Sequence, residues 1–230
     1  MGRTVLDSLK QIPMFSELQA GARSEIARLA RARSYQARDQ IFRQGDDSDS
    51  VFIIESGYLK VAVSGPNGSL STLAVMGAGE IFGELSLLDG GPRSATVTAM
   101  TRTDVLVIDR GPFLHLIEAQ PRLGIAIMGV LARRLRRVSE RSDDLTGMRV
   151  ANRLAKQLLS LAENHGLRVG PSRLRLAVKM SQRELGELVG ATRESVNKHL
   201  RAWQEESILT EESGYLAITN LALLRSIAAD

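Results

Sequence analysis

The sequence contains no cysteine in 230 residues, which excludes disulfide bonds, iron–sulfur clusters and cysteine-ligated zinc. Long apolar runs are also missing, since no stretch approaches the roughly 20 consecutive apolar residues of a membrane-spanning helix. The N-terminus, MGRTVLDSLK, lacks the apolar core of a signal peptide. These absences predict a cytoplasmic protein.

Histidine is nearly as scarce as cysteine. The three histidines, His115, His165 and His199, stand singly in helical sequence, where a structural or surface role is commoner than metal ligation. None lies in the strand-like part of the chain, which argues against a haem sensor. No nucleophile stands at a motif spacing from a base, so we predict no metal, no prosthetic group, no catalytic residue and no enzymatic activity.

Charge is unevenly distributed along the chain. Residues 1–119 carry 12 Lys and Arg against 14 Asp and Glu, whereas residues 120–230 carry 18 against 12. The length also exceeds that of a usual single domain. We expect two folded regions, of which the C-terminal one is basic enough to suit a polyanion such as nucleic acid.

The segment from Gly124 to Met148 has the periodicity of a long amphipathic helix flanked by arginines. Residues at the a and d positions of its heptads are Met128, Leu131, Leu135, Val138, Ser142 and Leu145. The helix can pair with a second copy of itself or pack on its own domain. Its place between strand-like and helical sequence favours pairing.

Before this helix, short β-branched runs such as VFIIES, GYLKVAV and DVLVID alternate with glycine-containing turns. They follow an amphipathic helix predicted over Ala20–Ala32. The pattern predicts an antiparallel β-sandwich or roll.

One stretch of the β region, from Gly79 to Ala99, combines groups that suit a phosphate with an attached sugar. Glycine-flanked amides stand beside the carboxylate of Glu84, and Arg93 and Ser94 follow a short turn later. A guanidinium, a hydroxyl and amides bind phosphate oxygens, and a carboxylate accepts from a ribose hydroxyl. The alternative is a surface salt bridge between Glu84 and Arg93.

This stretch closely resembles the phosphate-binding cassette of the catabolite-activator/FNR (CRP/FNR) family. The matching positions are Gly79, Glu80, Gly83, Glu84, Leu85, Arg93, Ser94 and Ala95. The resemblance implies that Glu84 binds the ribose 2′-hydroxyl of a cyclic nucleotide and that Arg93 and Ser94 bind its phosphate. Backbone amides near Gly83 and Leu85 would close the site.

Two short helices around a glycine are predicted near the C-terminus. Ser181 and Glu184 have the spacing of a capping box, Gly190 ends the first helix, and Thr192 caps a second helix that reaches about Trp203. This arrangement predicts a helix-turn-helix, with an ordinary helical hairpin as the alternative.

Strand-like sequence surrounds these two helices. Residues 164–173 are interpreted as a loose stretch before a short strand over Leu174–Val178. Ile208-Leu209 and Tyr215–Ile218, separated by a polar turn, complete a winged version of the motif.

The first turns of the second helix carry side chains suited to reading bases in a major groove. Arginine and lysine donate to guanine, and glutamate accepts from cytosine N4. Candidate DNA contacts are Ser181, Thr192, Arg193, Glu194, Ser195, Asn197 and Lys198, whereas Val196 and Leu200 are expected to face inward. The run from Thr192 to Val196 resembles the recognition-helix motif of the same family, in which the position of Lys198 is often arginine.

The chain departs from the family at the ligand base. Cyclic-AMP members hold the adenine with a threonine–serine pair on the long helix, and the partner subunit supplies the serine. The aligned pair here is Val138-Ser139. Valine lacks the hydroxyl, so a hydrogen bond of about 1 kcal/mol is missing. Cyclic AMP remains the first choice, with cyclic GMP, cyclic di-GMP or no ligand as alternatives.

The resemblance covers nearly the whole chain and implies an α+β protein. Its parts are an N-terminal antiparallel β-roll of the cyclic-nucleotide-binding jelly-roll type (1–119), a long dimerisation helix (120–148) and a C-terminal winged helix-turn-helix (149–230). It implies a homodimeric transcription regulator that binds palindromic double-stranded DNA, works with RNA polymerase and responds to a cyclic nucleotide. A sensor module that regulates a partner protein is the rival class.

Overall fold

The computed structural model describes residues 5–10, 12, 15, 18–65, 67–170 and 173–229. The chain divides into two compact units, which are described separately: residues 1–67 with 74–137, and residues 68–73 with 138–230. The helices of the described residues are α1 (Val5–Lys10), α2 (Ala20–Leu29), α3 (Glu84–Asp89), α4 (Arg110–Ala119), α5 (Pro121–Gly147), α6 (Val150–His165), α7 (Gln182–Val189), α8 (Arg193–Glu205) and α9 (Leu221–Ala229).

The β region forms two four-stranded sheets, as the runs of apolar residues between turns predict, and the strands of the two sheets are interleaved along the chain. Their strand orders are β1-β8-β3-β6 and β2-β7-β4-β5, and the pairings are antiparallel where the register is defined. The strands are β1 (Arg31–Tyr35), β2 (Gln40–Phe42), β3 (Ser50–Ser56), β4 (Tyr58–Ser64), β5 (Leu70–Gly77), β6 (Ile81–Phe82), β7 (Thr96–Ala99) and β8 (Thr103–Asp109).

Strand β3 is buried on both faces because it separates two cores. Val51 and Ile53 belong to a cluster with helical residues, including Phe113 of α4. Phe52 and Ile54 belong to a second cluster whose members come from the β-strands. The period of two places alternate side chains on opposite faces of the sheet. The β-roll therefore has a helix-covered side and an all-β side.

Three details of this region differ from the sequence prediction. Helix α2 ends at Leu29, and Arg31–Tyr35 forms a strand whose side chains are mostly exposed. Its polar sequence carries no apolar alternation, yet its backbone pairs with β8. Strand β6 is only two residues long, because the cassette turns at Gly83 into helix α3.

Helix α5 confirms the predicted long helix and extends it to Pro121–Gly147. Its first half packs on the β-roll, where Leu123 and Ile127 are buried and Leu131 is partly buried. The self-packing alternative therefore holds for this half. Other apolar side chains on the helix are exposed, among them Met128 at 60% and Leu145 at 45%.

The helix-turn-helix is closed by the predicted caps. The Ser181 hydroxyl accepts from the Glu184 backbone N–H at 3.2 Å, and the Glu184 carboxylate accepts from the Ser181 N–H at 2.9 Å. Gly190 ends α7 in the left-handed region with a φ of 64°. Thr192 caps α8 by accepting from the Ser195 N–H at 3.2 Å. Both helix starts are thus fixed locally.

A four-stranded sheet of order β11-β12-β10-β9 completes the winged motif. Its strands are β9 (Gly166–Gly170), β10 (Arg173–Leu176), β11 (Leu209–Glu212) and β12 (Tyr215–Ile218). Ser213 and Gly214, both with positive φ, form the wing turn. The prediction of a loose stretch is wrong for β9, which pairs with β10; residues 171 and 172 lie outside the described part.

Among the helices of the described residues, none combines the length and the apolar character that crossing a membrane requires.

Candidate functional site: a buried ion cluster and a helix-turn-helix

Two oppositely charged side chains are buried where the first unit turns from β6 into α3. Glu84 is 1% exposed and Arg93 is 4% exposed. Gly83 caps α3 with a φ of 76°, and a Cβ at this position would lie 2.5 Å from Arg93 Nη1. Both the backbone conformation and the available space therefore require glycine.

The guanidinium of Arg93 is held by backbone and aromatic groups. Nη1 donates to the Gly83 carbonyl at 3.1 Å, and Nη2 donates to the Ser50 carbonyl at 2.9 Å and to Ser50 Oγ at 3.3 Å. Its Cζ lies 4.2 Å from the centroid of the Phe42 ring, a cation–π geometry. The plane of the guanidinium is thus fixed by groups far away in sequence.

Burial nevertheless makes this cation costly. Desolvation lowers the pKa of Arg93, and the carboxylates of Asp49, Asp46 and Glu84 act in the opposite direction. Because arginine remains protonated in proteins, the site contains a desolvated positive charge. Its Nε is buried without a hydrogen-bond partner, so the cluster retains an unsatisfied N–H donor, a group of the kind that binds anions.

Glu84 pairs with Arg134 of α5 in the first unit. Arg134 Nη1 donates to Glu84 Oε1, and Nη2 donates to the Ile81 carbonyl. The salt bridge between Glu84 and Arg93 considered from the sequence is therefore not the pairing found, and Glu84 is buried. Glu84 Oε2 is buried without a hydrogen-bond partner and can accept a hydroxyl proton.

Sequence reasoning missed two of these residues, Arg134 and Ser50. Arg134 is 50 residues from Glu84, and Ser50 is 43 residues from Arg93. No spacing rule links positions so far apart, so only the folded sheet and helix bring them together.

The predicted ligand residues are divided between the units. The first unit contains the cassette residues, which are Gly83, Glu84, Leu85, Arg93, Ser94 and Ala95. Leu85 is 44% exposed and Ala95 is buried, and Ser94 is exposed. Val138 and Ser139 belong to the second unit, where Val138 is 61% exposed.

The second unit presents charged side chains on the recognition helix α8. Arg193, Glu194 and Lys198 are exposed, whereas Val196 is fully buried and Leu200 is 5% exposed. The prediction that Val196 and Leu200 face inward is therefore confirmed. Trp203, near the end of the helix, is also buried, at 5% exposed. These charged groups can approach a polyanion without unfolding any part of the unit.

Two arginines hold the turn between α7 and α8. Arg153 Nε donates to the Val189 carbonyl at 2.9 Å, and its Nη2 donates to the Gly190 carbonyl at 3.3 Å. Arg141 donates to the Leu188 carbonyl, and burial lowers the pKa of Arg141. Cations at the C-terminal carbonyls of a helix are favourable. The two guanidinium groups therefore hold the C-terminal end of α7, from which the turn leads into the recognition helix.

His199 on α8 differs from its charged neighbours. Partial burial and the nearby Lys198 lower its pKa below the ordinary value of 6.5. Its ring lies 6.0 Å from that of Trp203. A neutral imidazole at physiological pH favours a packing role for this residue.

The protein thus belongs to the class that combines a β-roll containing a buried ion cluster with a winged helix-turn-helix. The family model of the cyclic nucleotide-binding domain matches residues 32–120, and that of the Crp-like helix-turn-helix domain matches residues 152–227.

Individual proteins agree with both matches. The chain is 38% identical over 185 residues to the CRP-like cAMP-activated global transcriptional regulator of Mycobacterium tuberculosis, covering 77% of this chain and 82% of that protein. It is 36% identical over 196 residues to the cyclic AMP receptor protein of Thermus thermophilus, covering 85% and 87%. The fold matches the c-di-GMP responsive global regulator CLP of Xanthomonas campestris with a TM-score of 0.75 at 22% identity, covering 87% and 99%.

The chain therefore belongs to the CRP/FNR family of DNA-binding transcription regulators.

Proposed function

We propose that this protein is a cytoplasmic, homodimeric, sequence-specific transcription regulator whose affinity for DNA is set by cyclic AMP. The observation that carries the proposal is that Glu84 and Arg93 are both buried. Each retains one buried polar atom without a partner, the acceptor Oε2 and the donor Nε. These are complementary to a ribose hydroxyl and a phosphate oxygen. Relatives in M. tuberculosis and T. thermophilus are named as cAMP-activated and cyclic AMP proteins.

Residues of different chemistry bind different parts of the cyclic nucleotide. Arg93 Nε and the Ser94 hydroxyl bind the cyclic phosphate, and the amides near Gly83 and Leu85 complete its shell. The ribose 2′-hydroxyl donates to Glu84 Oε2, while Arg134 holds the other carboxylate oxygen in place. The family resemblance assigns the base to Val138 and Ser139.

Cyclic GMP and cyclic di-GMP share the phosphate and ribose chemistry, and one structural relative is described as c-di-GMP responsive. Calorimetric titration of nucleotide-free protein with the three nucleotides distinguishes them. We expect saturable cyclic AMP binding near one per chain. Stronger binding of either alternative would replace cyclic AMP as the effector, and no binding of any would leave a ligand-independent regulator.

A pair of variants tests the ribose contact. Glu84→Gln weakens a charge-assisted hydrogen bond, so we expect cyclic AMP affinity to fall by about 10-fold or more. Asp89→Asn changes an exposed carboxylate at the other end of α3, where Asp89 accepts from the Gly91 N–H at 2.9 Å. It should leave the affinity unchanged. Equal binding by Glu84→Gln and wild type would remove Glu84 from the ligand site.

An exposed apolar stripe on α5 supports the homodimer. Met128, Val138 and Leu145 lie on its heptad stripe and are 60%, 61% and 45% exposed, and such a stripe associates with a second helix. We expect a dimer in sedimentation experiments and a shift toward monomer in Met128→Glu. Arg133→Gln makes a matched change of charge on the opposite side of the helix and should leave the dimer intact. A monomeric wild type would exclude the two-fold mechanism.

The mechanism is a population shift. Ligand favours one arrangement of the paired helices, and this arrangement sets the spacing of the two recognition helices on a palindromic site. We expect cyclic AMP to tighten binding of a selected site, measured by fluorescence anisotropy, and to stimulate or block transcription by RNA polymerase. Equal DNA affinity with and without every tested nucleotide would exclude control by these ligands.

A further inference from the structure

Two side chains inside the helix-turn-helix, Gln182 and Asn197, form a contact that the family's recognition-helix motif, Thr192 to Val196, does not include. Gln182 is the first residue of α7, and Asn197 lies in the second turn of α8. Gln182 Nε2 donates to Asn197 Oδ1 at 3.0 Å. Both side chains are partly buried. The pair therefore joins the first helix of the motif to the recognition helix.

The hydrogen bond determines what Asn197 offers to another molecule. A carboxamide has one oxygen with two lone pairs and one nitrogen with two protons. With one lone pair of Oδ1 taken by Gln182, Asn197 keeps an acceptor lone pair on Oδ1 and both protons on Nδ2. A free asparagine can exchange its oxygen and nitrogen by rotation about χ2, and so can the carboxamide of Gln182 at its own end. In the arrangement found, Gln182 is the donor and Asn197 Oδ1 is the acceptor.

Asn197 occupies the face of α8 that carries the base-reading candidates. It lies four residues after Arg193, which is a neighbour on a helical surface. Asn197 itself is partly buried, so it lies at the border between the exposed surface of the helix and the inward face of Val196 and Leu200. The carboxamide thus lies near Arg193 on the helix surface, with its Oδ1 hydrogen-bonded to the first helix of the motif.

We propose that Gln182 is a positioning residue that holds Asn197 ready to read adenine. Adenine presents an N7 acceptor and an N6 donor in the major groove, which complement the Nδ2 donor and the free Oδ1 lone pair. Guanine and cytosine cannot satisfy both groups, and thymine offers an acceptor and a methyl group. This inference rests on the proposed DNA-binding function and adds a specific base contact to it.

The experiment begins with selection of half-sites from a randomised duplex library by full-length protein with saturating cyclic AMP. Dissociation constants for the selected site and all its single-base variants are then measured by anisotropy. We expect one adenine position whose discrimination falls about 10-fold in Asn197→Ala. Discrimination at the position read by Arg193 should persist.

The Gln182 variants separate positioning from packing. Gln182→Ala should lower discrimination at the same adenine by about 3-fold, because the carboxamide then samples both orientations. In the double variant Asn197→Ala/Gln182→Ala, no further discrimination should be lost there. Gln204→Ala removes a glutamine side chain from the C-terminal end of α8 and should change no base preference.

Gln182→Glu gives the sharpest test. A carboxylate at position 182 can only accept a hydrogen bond, so Asn197 must turn its Nδ2 toward that carboxylate. The donor and the acceptor that Asn197 offers to DNA then exchange positions. Adenine N6 would then face a donor, and the adenine preference should fall further than in Gln182→Ala. The added negative charge weakens binding to all sequences alike, so the ratio between sequences is the readout.

Two results would overturn the inference, and they are distinguishable. If Arg193-dependent selection persists but Asn197→Ala and Gln182→Ala alter affinity equally on all sequences, the pair only packs the two helices or contacts the backbone. If wild type selects no sequence under any tested nucleotide, the proposed function fails and this inference fails with it. Circular dichroism melts of each variant exclude unfolding as the cause.

Discussion

The β-roll site and the recognition helix use charge in opposite ways. Glu84 and Arg93 are almost completely buried and are held by protein groups. Arg193 and Lys198 are exposed. A small ligand must be surrounded, so its charged partners are desolvated and oriented in advance, at a cost in folding free energy. A long polyanion covers an existing surface, so its partners can remain in water until it arrives.

The comparison predicts that the same change, arginine to alanine, has different consequences in the two regions. Arg93→Ala should lower the free energy of unfolding by about 2–4 kcal/mol, because the Ser50 and Gly83 carbonyls lose their buried donor. It should also abolish cyclic AMP binding. Urea denaturation and calorimetry measure both effects. Arg102→Ala, an exposed arginine of the same unit, should change neither, and a fully stable Arg93→Ala would contradict the buried role.

Arg193→Ala should give the reverse result. We expect stability to remain within about 0.5 kcal/mol of wild type, since the side chain is exposed. Binding of the selected DNA site should weaken by about 1–3 kcal/mol, with relaxed preference at one base pair. Arg201→Ala, on the same helix, should weaken binding to all DNA sequences alike or have no effect on binding. Uniform weakening by Arg193→Ala would make Arg193 a phosphate contact.

Val138→Thr sharpens the comparison on the ligand side. Restoring the hydroxyl that cyclic-AMP members carry should tighten cyclic AMP binding by about 1 kcal/mol, because one hydrogen bond to the base is regained. Ile125→Thr makes the same kind of change at another exposed position of α5 and should have no effect. Unchanged or weaker calorimetric affinity in Val138→Thr would remove Val138 from the base contact.

The smallest expected effect concerns His199. Its pKa is lower in the folded protein than the ordinary 6.5, so below about pH 6.5 the unfolded chain binds the proton more readily. Stability should therefore decrease as the pH falls through this range, and His199→Gln should reduce that decrease. The fluorescence of Trp203, the single tryptophan, reports unfolding during denaturation. His115→Gln, with an imidazole 83% exposed, is the control, and identical pH profiles for His199→Gln and wild type would contradict the prediction.

Local signals predicted much of the second unit correctly. The spacing of Ser181 and Glu184, the glycine at position 190 and the cap at Thr192 act within a few residues, and each forms as expected. The edge strand β9 was missed because it depends on pairing with β10. In the first unit, strand β1 was missed because its polar residues carry no apolar alternation and its strand conformation depends on pairing with β8.

By itself the sequence determined the elements whose physics is local: the apolar run of β3, the heptad stripe of α5, the helix caps and the cassette residues from Gly83 to Ala95. Only the tertiary structure decided which partners those residues have. Arg134 reaches Glu84 across 50 residues, Ser50 reaches Arg93 across 43, and Gln182 orients Asn197 across 15. Hydrogen bonds between distant residues depend on how the elements pack, and the period of a single element carries no information about that packing.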